Sequence, residues 1–219
     1  MRFYLIFCLQ SLNHCLPINQ VEITMKLLNT FALSILTLFS LSLNAETTSS
    51  WRLDATNSKV NFVSIKKGNI AETHVFNDVS GSVVDGNASI IIKPDSVESK
   101  VPIRNERMRE FLFETGVYPI IEVTANVNDA LAELTPGNSS IATLPAALAM
   151  HGISKEISLE VRITKLSANT LIVASTQPVL IRAADFNMVE GITKLASLVN
   201  NLPIAESIPV NFSLQLSKS

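Results

Sequence analysis

The chain has 219 residues, a net charge of -2, and 47% hydrophobic but only 6% aromatic residues. That charge offers no basic surface to a phosphate backbone, which excludes nucleic acid as a partner, and the interior has to be built from Val, Ile, Leu and Ala. Both cysteines, Cys8 and Cys15, lie close to the start, so thiolate metal sites and thiol redox chemistry drop out of the rest of the chain.

Export is the first expectation in chain order. Met25-Lys26 gives a basic start, Leu27 to Leu43 is apolar apart from Asn29, Thr30 and a few serines and threonines, and Asn44-Ala45 leads into polar Glu46 to Ser50. A basic start, an apolar core and a small residue before a polar stretch make a secretory signal. Residues 25–45 are therefore read as a signal peptide cleaved after Ala45, although Leu43 is bulkier than is usual two positions earlier. The run approaches the ~20 residues that span a bilayer, but its hydroxyl content, its lone lysine and the cleavage site favour removal over an anchor. Residues 1–24 precede the signal and are read as a non-native upstream extension, with translation starting at Met25. No cysteine stands at the cleavage site to be acylated, so residues 46–219 are expected as one soluble periplasmic domain.

Beyond the signal the dominant period is two, the mark of half-buried strands. Ser58 to Ile65 places Val60 and Phe62 on one face, and His74-Val75-Phe76 follows a Gly-containing turn. Gly81 to Val84 and Ala88 to Lys93 flank Asp85-Gly86-Asn87, a hairpin signal because Asp and Gly tolerate positive φ. Pro102 to Phe113 breaks the period and reads as a helix, with Ile103, Arg107, Met108, Phe111 and Leu112 near one side. Ile120 to Val127 turns Ile121, Val123 and Ala125 to one face. Leu144 to Met150 and Ile157 to Ile163 form the clearest pair, joined by a turn over His151 to Lys155. Thr170 to Ile181 and Ile208 to Leu216 supply the last strands. Between them Met188 to Asn200 reads as a second helix, capped by Asp185 or Asn187. Many short strands with two amphipathic helices predict an all-β, antiparallel barrel; a two-sheet sandwich is the alternative.

Catalytic signals are thin. His14 falls in the upstream segment, leaving His74 and His151. The chain contains no His-Glu-x-x-His, no Gly-x-Ser-x-Gly and no phosphate-cradling glycine loop. His151 is expected to bond the backbone of its turn, and Asp54 and Asp185 to serve as caps. The reading is a binding module, with no catalytic residue, metal or cofactor. Its rivals are an enzyme acting on a prenyl substrate through His151 and Asp185, and a stress-related interaction protein whose barrel is packed solid.

Four stretches then bring a family into view. They are Trp51-Arg52-Leu53-Asp54 with Ser58-Lys59-Val60-Asn61-Phe62; Phe76-Asn77-Asp78-Val79-Ser80-Gly81; Arg104 to Phe113 leading into Tyr118-Pro119; and Leu148-Ala149-Met150-His151-Gly152-Ile153-Ser154-Lys155. In this order and spacing the chain resembles the YceI-like family of bacterial periplasmic lipid-binding proteins. It departs from the family's pattern at Leu112, Glu114, Val123 and Ala149, changes that bear on channel width. The resemblance implies a lipocalin-like barrel of about eight strands around an apolar channel. Its ligand would be an isoprenoid-type lipid, a polyprenyl phosphate or an isoprenoid quinone, and the protein a periplasmic carrier.

The residues expected along that channel follow. Val60, Phe62 and Phe76 come from the early strands; Ile121, Val123, Leu148, Met150, Leu159, Val161 and Val173 from the later ones; Phe186 from the loop before the second helix. Met108, Phe111 and Phe113, with Ile192 and Leu195, are expected to form a lid at the mouth. Arg104 and Arg107, with neighbouring Arg109, are candidates for the head group. The plainer alternative pairs these arginines with Glu106 and Glu110 on a solvated helix face. The expected partner is the lipid itself; passing contact with a membrane surface and a homodimer are left open.

Overall fold

The computed structural model describes residues 50–219; the signal run, the cleavage site after Ala45 and the upstream Cys8, His14 and Cys15 lie outside the described residues. The strands, all in one sheet, are β1 (Ser50–Leu53), β2 (Lys59–Lys66), β3 (Ile70–Phe76), β4 (Val79–Val84), β5 (Asn87–Ile92), β6 (Val97–Glu98), β7 (Ile121–Asn126), β8 (Ser139–Met150), β9 (Ile153–Ser167), β10 (Thr170–Ser175), β11 (Val179–Arg182) and β12 (Ser207–Lys218). Three short helices accompany them: α1 (Pro102–Arg107), α2 (Asn128–Ala132) and α3 (Val189–Ser197).

The order β1-β4-β5-β7-β8-β9-β10-β12 closes on itself, because β12 also pairs with β1 through Leu53↔Leu216 and its neighbours. Every pairing is antiparallel, so the wall is a closed eight-stranded barrel and the sandwich alternative falls away. Closure leaves no unpaired strand edge in the ring. At one end the wall is extended: β2 follows β1 along the same side of β12, β3 pairs with β2, β6 with β3, and β11 pairs with β12. The break between β1 and β2 is made by Asp54. Its carboxylate accepts the N–H groups of Thr56 at 3.0 Å and Asn57 at 3.3 Å, turning the chain before the strand resumes.

Two hairpins set the register. Asp85 (φ 47°) and Gly86 (φ 73°) join β4 to β5, and His151 (φ 51°) and Gly152 (φ 75°) join β8 to β9. Positive φ at both central positions gives a turn whose twist matches that of the flanking strands. The β8–β9 turn therefore takes two residues, not the five expected from sequence, and pairing runs from Met150↔Ile153 to Ser139↔Thr164. The first part of β8 was missed because it lacks clear apolar alternation; backbone pairing with β9 holds it as a strand.

The helices also differ in detail. α1 gives way over Met108–Leu112 to a wider π turn, in which the Phe113 N–H reaches the Met108 carbonyl at 2.9 Å. α3 starts after Met188 with no side-chain cap. Asp185 is drawn instead to Arg182, 2.9 Å away, and Asn187 takes a left-handed φ of 54° that ends the preceding turn. α2 was not anticipated; its single turn has no apolar stripe long enough to be read.

Candidate functional site

A cavity of about 510 Å³ runs inside the barrel. Its wall is made by the inward halves of the alternating strands. Val60, Phe62 and Phe76 face it from β2 and β3, and Ile121 and Val123 from β7. Leu148, Met150, Leu159, Val161 and Val173 continue the wall through β8, β9 and β10. Met108 and Phe113 from the first helical segment, and Ile192 and Leu195 from α3, complete the lining.

Space persists here because of small residues in register. Ala88 pairs with Ala125, and Ala125 with Ala146, so three alanines lie side by side across β5, β7 and β8. Aromatic side chains at these positions would fill the interior. The solid-core expectation therefore does not describe this barrel.

Two expected lining residues lie elsewhere. Phe111 is half-buried on the outer side, with the Lys194 ammonium 5.4 Å from its ring centroid. The π turn is the cause: with more residues per turn, Leu112 and Phe113 take the face beside Met108 that Phe111 would hold at α-helical spacing. Phe186 is 2% exposed but packs in the core outside the cavity wall, fixed by the tight turn Ala183–Phe186.

The cavity is apolar except at one end. Its six polar lining side chains, Ser64, Lys66, Glu72, His74, Arg104 and Arg107, come from β2, β3 and α1. Glu72 receives the Lys66 ammonium and, at 3.1 Å, the Arg104 guanidinium. The Lys66 hydrogen bond and the Arg104 charge hold its carboxyl below the usual range, against the opposing effect of burial. Arg104 thus joins the cavity mouth and not Glu106 or Glu110, because Glu72 lies across from it on β3. Arg109 turns back to the Asn105 carbonyl at 3.3 Å and lies 4.0 Å from Asp95.

His74 is 1% exposed, and its Nε2 lies 2.8 Å from the Ser64 hydroxyl. Burial pushes its pKa down, Arg104 and Lys66 add to this, and Glu72 opposes them. The imidazole is therefore neutral at neutral pH, and its Nδ1 is buried without a partner among the described residues. Beside it Phe62, Phe76 and Phe113 form an aromatic group, with Phe62 centred 5.0 Å from His74, 5.3 Å from Phe76 and 6.1 Å from Phe113. A neutral imidazole, an ammonium and a guanidinium at the end of an oily channel can hydrogen-bond an oxygen-bearing head while the aromatics pack its ring or first carbons.

Sequence reasoning found Arg104 and Arg107 but missed Ser64, Lys66, Glu72 and His74. A signal was present. The inward alternation Val60, Phe62, Ser64, Lys66 on β2, matched by Phe76, His74, Glu72 on β3, passes from apolar to polar along one face. His151 is a separate correction: its Nε2 bonds the Glu114 carboxylate at 2.7 Å, not its turn backbone, and its ring lies 4.2 Å from Tyr118. It ties the β8–β9 turn to the loop after the π turn, outside the cavity.

A family model described as YceI-like domain matches residues 51–216. The chain belongs to the YceI-like family. Among solved structures, a polyisoprenoid binding domain from Saccharophagus degradans, described as implicated in plant cell wall breakdown, is 37% identical with a TM-score of 0.74. The match covers 77% of this chain and 98% of that one. Burkholderia cenocepacia BcnA, at 16% identity and a TM-score of 0.56 over 74% of this chain and 98% of that one, shares the fold. None of the curated proteins matches the chain. The YceI-like barrel therefore stands on sequence, on structural likeness and on its own closed topology.

Proposed function

We propose that this YceI-like domain is a periplasmic carrier of an isoprenoid-type lipid. The prenyl chain would lie along the apolar cavity, and the head would meet Lys66, His74, Arg104 and Arg107 at its polar end. The observation that carries this reading is the cavity itself: about 510 Å³, apolar along its length and polar only at one end. That size falls within the range of small-molecule sites. The relative at 37% identity, described as a polyisoprenoid binding domain, supports the same class of ligand. A polyprenyl phosphate and an isoprenoid quinone both suit a polar end rich in donors.

Transfer energetics favour such a chain. Burying a five-carbon isoprenoid unit contributes about 3–4 kcal/mol at most, from ~0.8 kcal/mol per CH₂. A few units offset the ~4–15 kcal/mol cost of association and ordering. Affinity then grows with tail length, and the polar end selects among heads. Binding, without a bond-making step, is the activity proposed. The periplasmic location rests on the signal reading of residues 25–45, with cleavage after Ala45.

The test is to express the chain with its own signal, purify it mildly from the periplasm, and extract it for lipid mass spectrometry. A stoichiometric prenyl lipid, on a protein whose first residue is Glu46, is the expected result. A clean extract, with no uptake of added isoprenoid quinone or prenyl phosphate, would reject the reading.

A further inference from the structure

Of all the residues lining the cavity, Ile103 and Val199 are the exposed ones, 51% and 39% accessible. They mark where the interior meets solvent, one on α1 and one just past the end of α3. Neighbouring contacts draw a third segment to the same place. Arg104 on α1 reaches Glu72 on β3; Lys66 bridges to Ile204, and the Lys67 N–H donates to the Pro203 carbonyl at 3.0 Å. The turn between β2 and β3 thus stands beside the loop that follows α3. It carries Ile70, 45% exposed and directly opposite Lys66 in the register.

Three large aliphatic side chains from three segments therefore ring the opening. Lys66, Lys67, Arg104 and Arg107 stand among them and outnumber the carboxylates on the same segments, Glu72, Glu106 and Glu206, in a chain whose net charge is -2. At the far end of the barrel Val84, Ile141 and Leu166 are exposed too, but the lining residues there, Ala88, Ala125 and Leu131, are only half-buried and none is exposed as Ile103 and Val199 are.

We propose that this rim docks on a phospholipid bilayer, with Ile70, Ile103 and Val199 entering the interface and the cations meeting lipid phosphates. The inference rests on the carrier reading and deepens it by naming the surface through which the lipid is exchanged. Continuity of apolar surface from cavity to rim is the physical reason. A prenyl chain leaving an oily channel into water would lose the stabilisation that holds it there, whereas a mouth seated on the interface lets it pass from one apolar phase to another. Ammonium and guanidinium groups at such a rim suit phosphate oxygens at headgroup depth.

Flotation with vesicles of phosphatidylethanolamine and phosphatidylglycerol tests it. The wild-type domain is expected to float with the vesicles. The double variant Ile103→Asp/Val199→Asp, and Ile70→Asp as an independent change, should each reduce the bound fraction about tenfold or more, since each removes a buried aliphatic contact. Leu166→Asp, at the far end from the rim, should float like wild type. Failure of the wild type to float, equal flotation of the rim variants, or an equal loss in Leu166→Asp would overturn the proposal. Uptake of a prenyl lipid from detergent micelles is measured in parallel. Ile70 is not part of the cavity wall, so an Ile70→Asp variant that loads lipid yet stays off vesicles separates docking from binding; a wild type that floats but loads nothing keeps the docking surface and rejects the carrier.

Discussion

His74 sits with its ring 1% exposed, bonded to Ser64 and flanked by two cations, and its environment keeps it neutral. Its pKa is lowered from an ordinary value of 6.5, chiefly by burial. As pH falls below 6.5, the unfolded chain takes up a proton at this position while the folded chain does not. Stability therefore declines as pH falls below 6.5 and levels off once the folded imidazole also protonates. His74→Gln should flatten the dependence between about pH 7.5 and about pH 5.5 in urea titrations; an unchanged slope would count against a neutral buried imidazole. Glu72, Glu98 and Asp54 have lowered pKa values and act in a separate, more acidic window, below 4.5 for the glutamates and 3.8 for Asp54. At Arg104, replacement by Gln should cost only ~0.5–1 kcal/mol of stability, because the pair with Glu72 is partly solvated and Lys66 remains. Its larger effect should fall on the head: bound lipid measured by mass spectrometry should shift in head-group composition or amount. The residue scale was only partly legible. Arg104 was identified from its helix, but its partner lies 32 residues earlier on another element, and no local pattern states that pairing.

At the scale of elements the close approach of α3 to the π turn matters most. A side chain at Gly191 would overlap the Phe111 carbonyl oxygen and come within 3.0 Å of the Leu112 Cα. Helix propensity alone says Gly191→Ala should stabilise α3 by about 0.5–1 kcal/mol. The packing says the opposite, a loss of ~1–3 kcal/mol as α3 is pushed from its seat. Thermal unfolding decides the sign, and a loosened α3 should also release bound lipid faster. Hairpin turns were readable because Asp85-Gly86 and His151-Gly152 carry residues that tolerate positive φ. The π turn was not readable. Its extra residue per turn goes with the close seat of α3, where Gly191 lies against Phe111 and Leu112, a contact between segments distant in the chain, and it turns Phe111 out of the lining while Phe113 keeps the place expected for it.

For the molecule as a whole, the question is why the interior stays open. Ala88, Ala125 and Ala146 lie in one row across three strands, and Ala125 faces the cavity. Ala125→Phe should fill the channel with little loss of stability and abolish lipid uptake, as read by melting temperature and lipid extraction. A loss of ~1–3 kcal/mol, the usual result of overpacking, would mean there was no room to fill. Along the closed wall Ile163, 1% exposed, should behave as core: Ile163→Ala is expected to cost ~2–5 kcal/mol in chemical denaturation. By itself the sequence determined the strand alternation, the two main hairpins, the helical interruptions and the family, because each is written in short-range period, turn chemistry or motif. Only the tertiary structure decided that β12 closes onto β1, that the alanines align into a row, and that Lys66, Glu72, His74 and Arg104 meet at one end. Those outcomes depend on register between strands distant in the chain, and a one-residue slip would turn every such side chain to the opposite face.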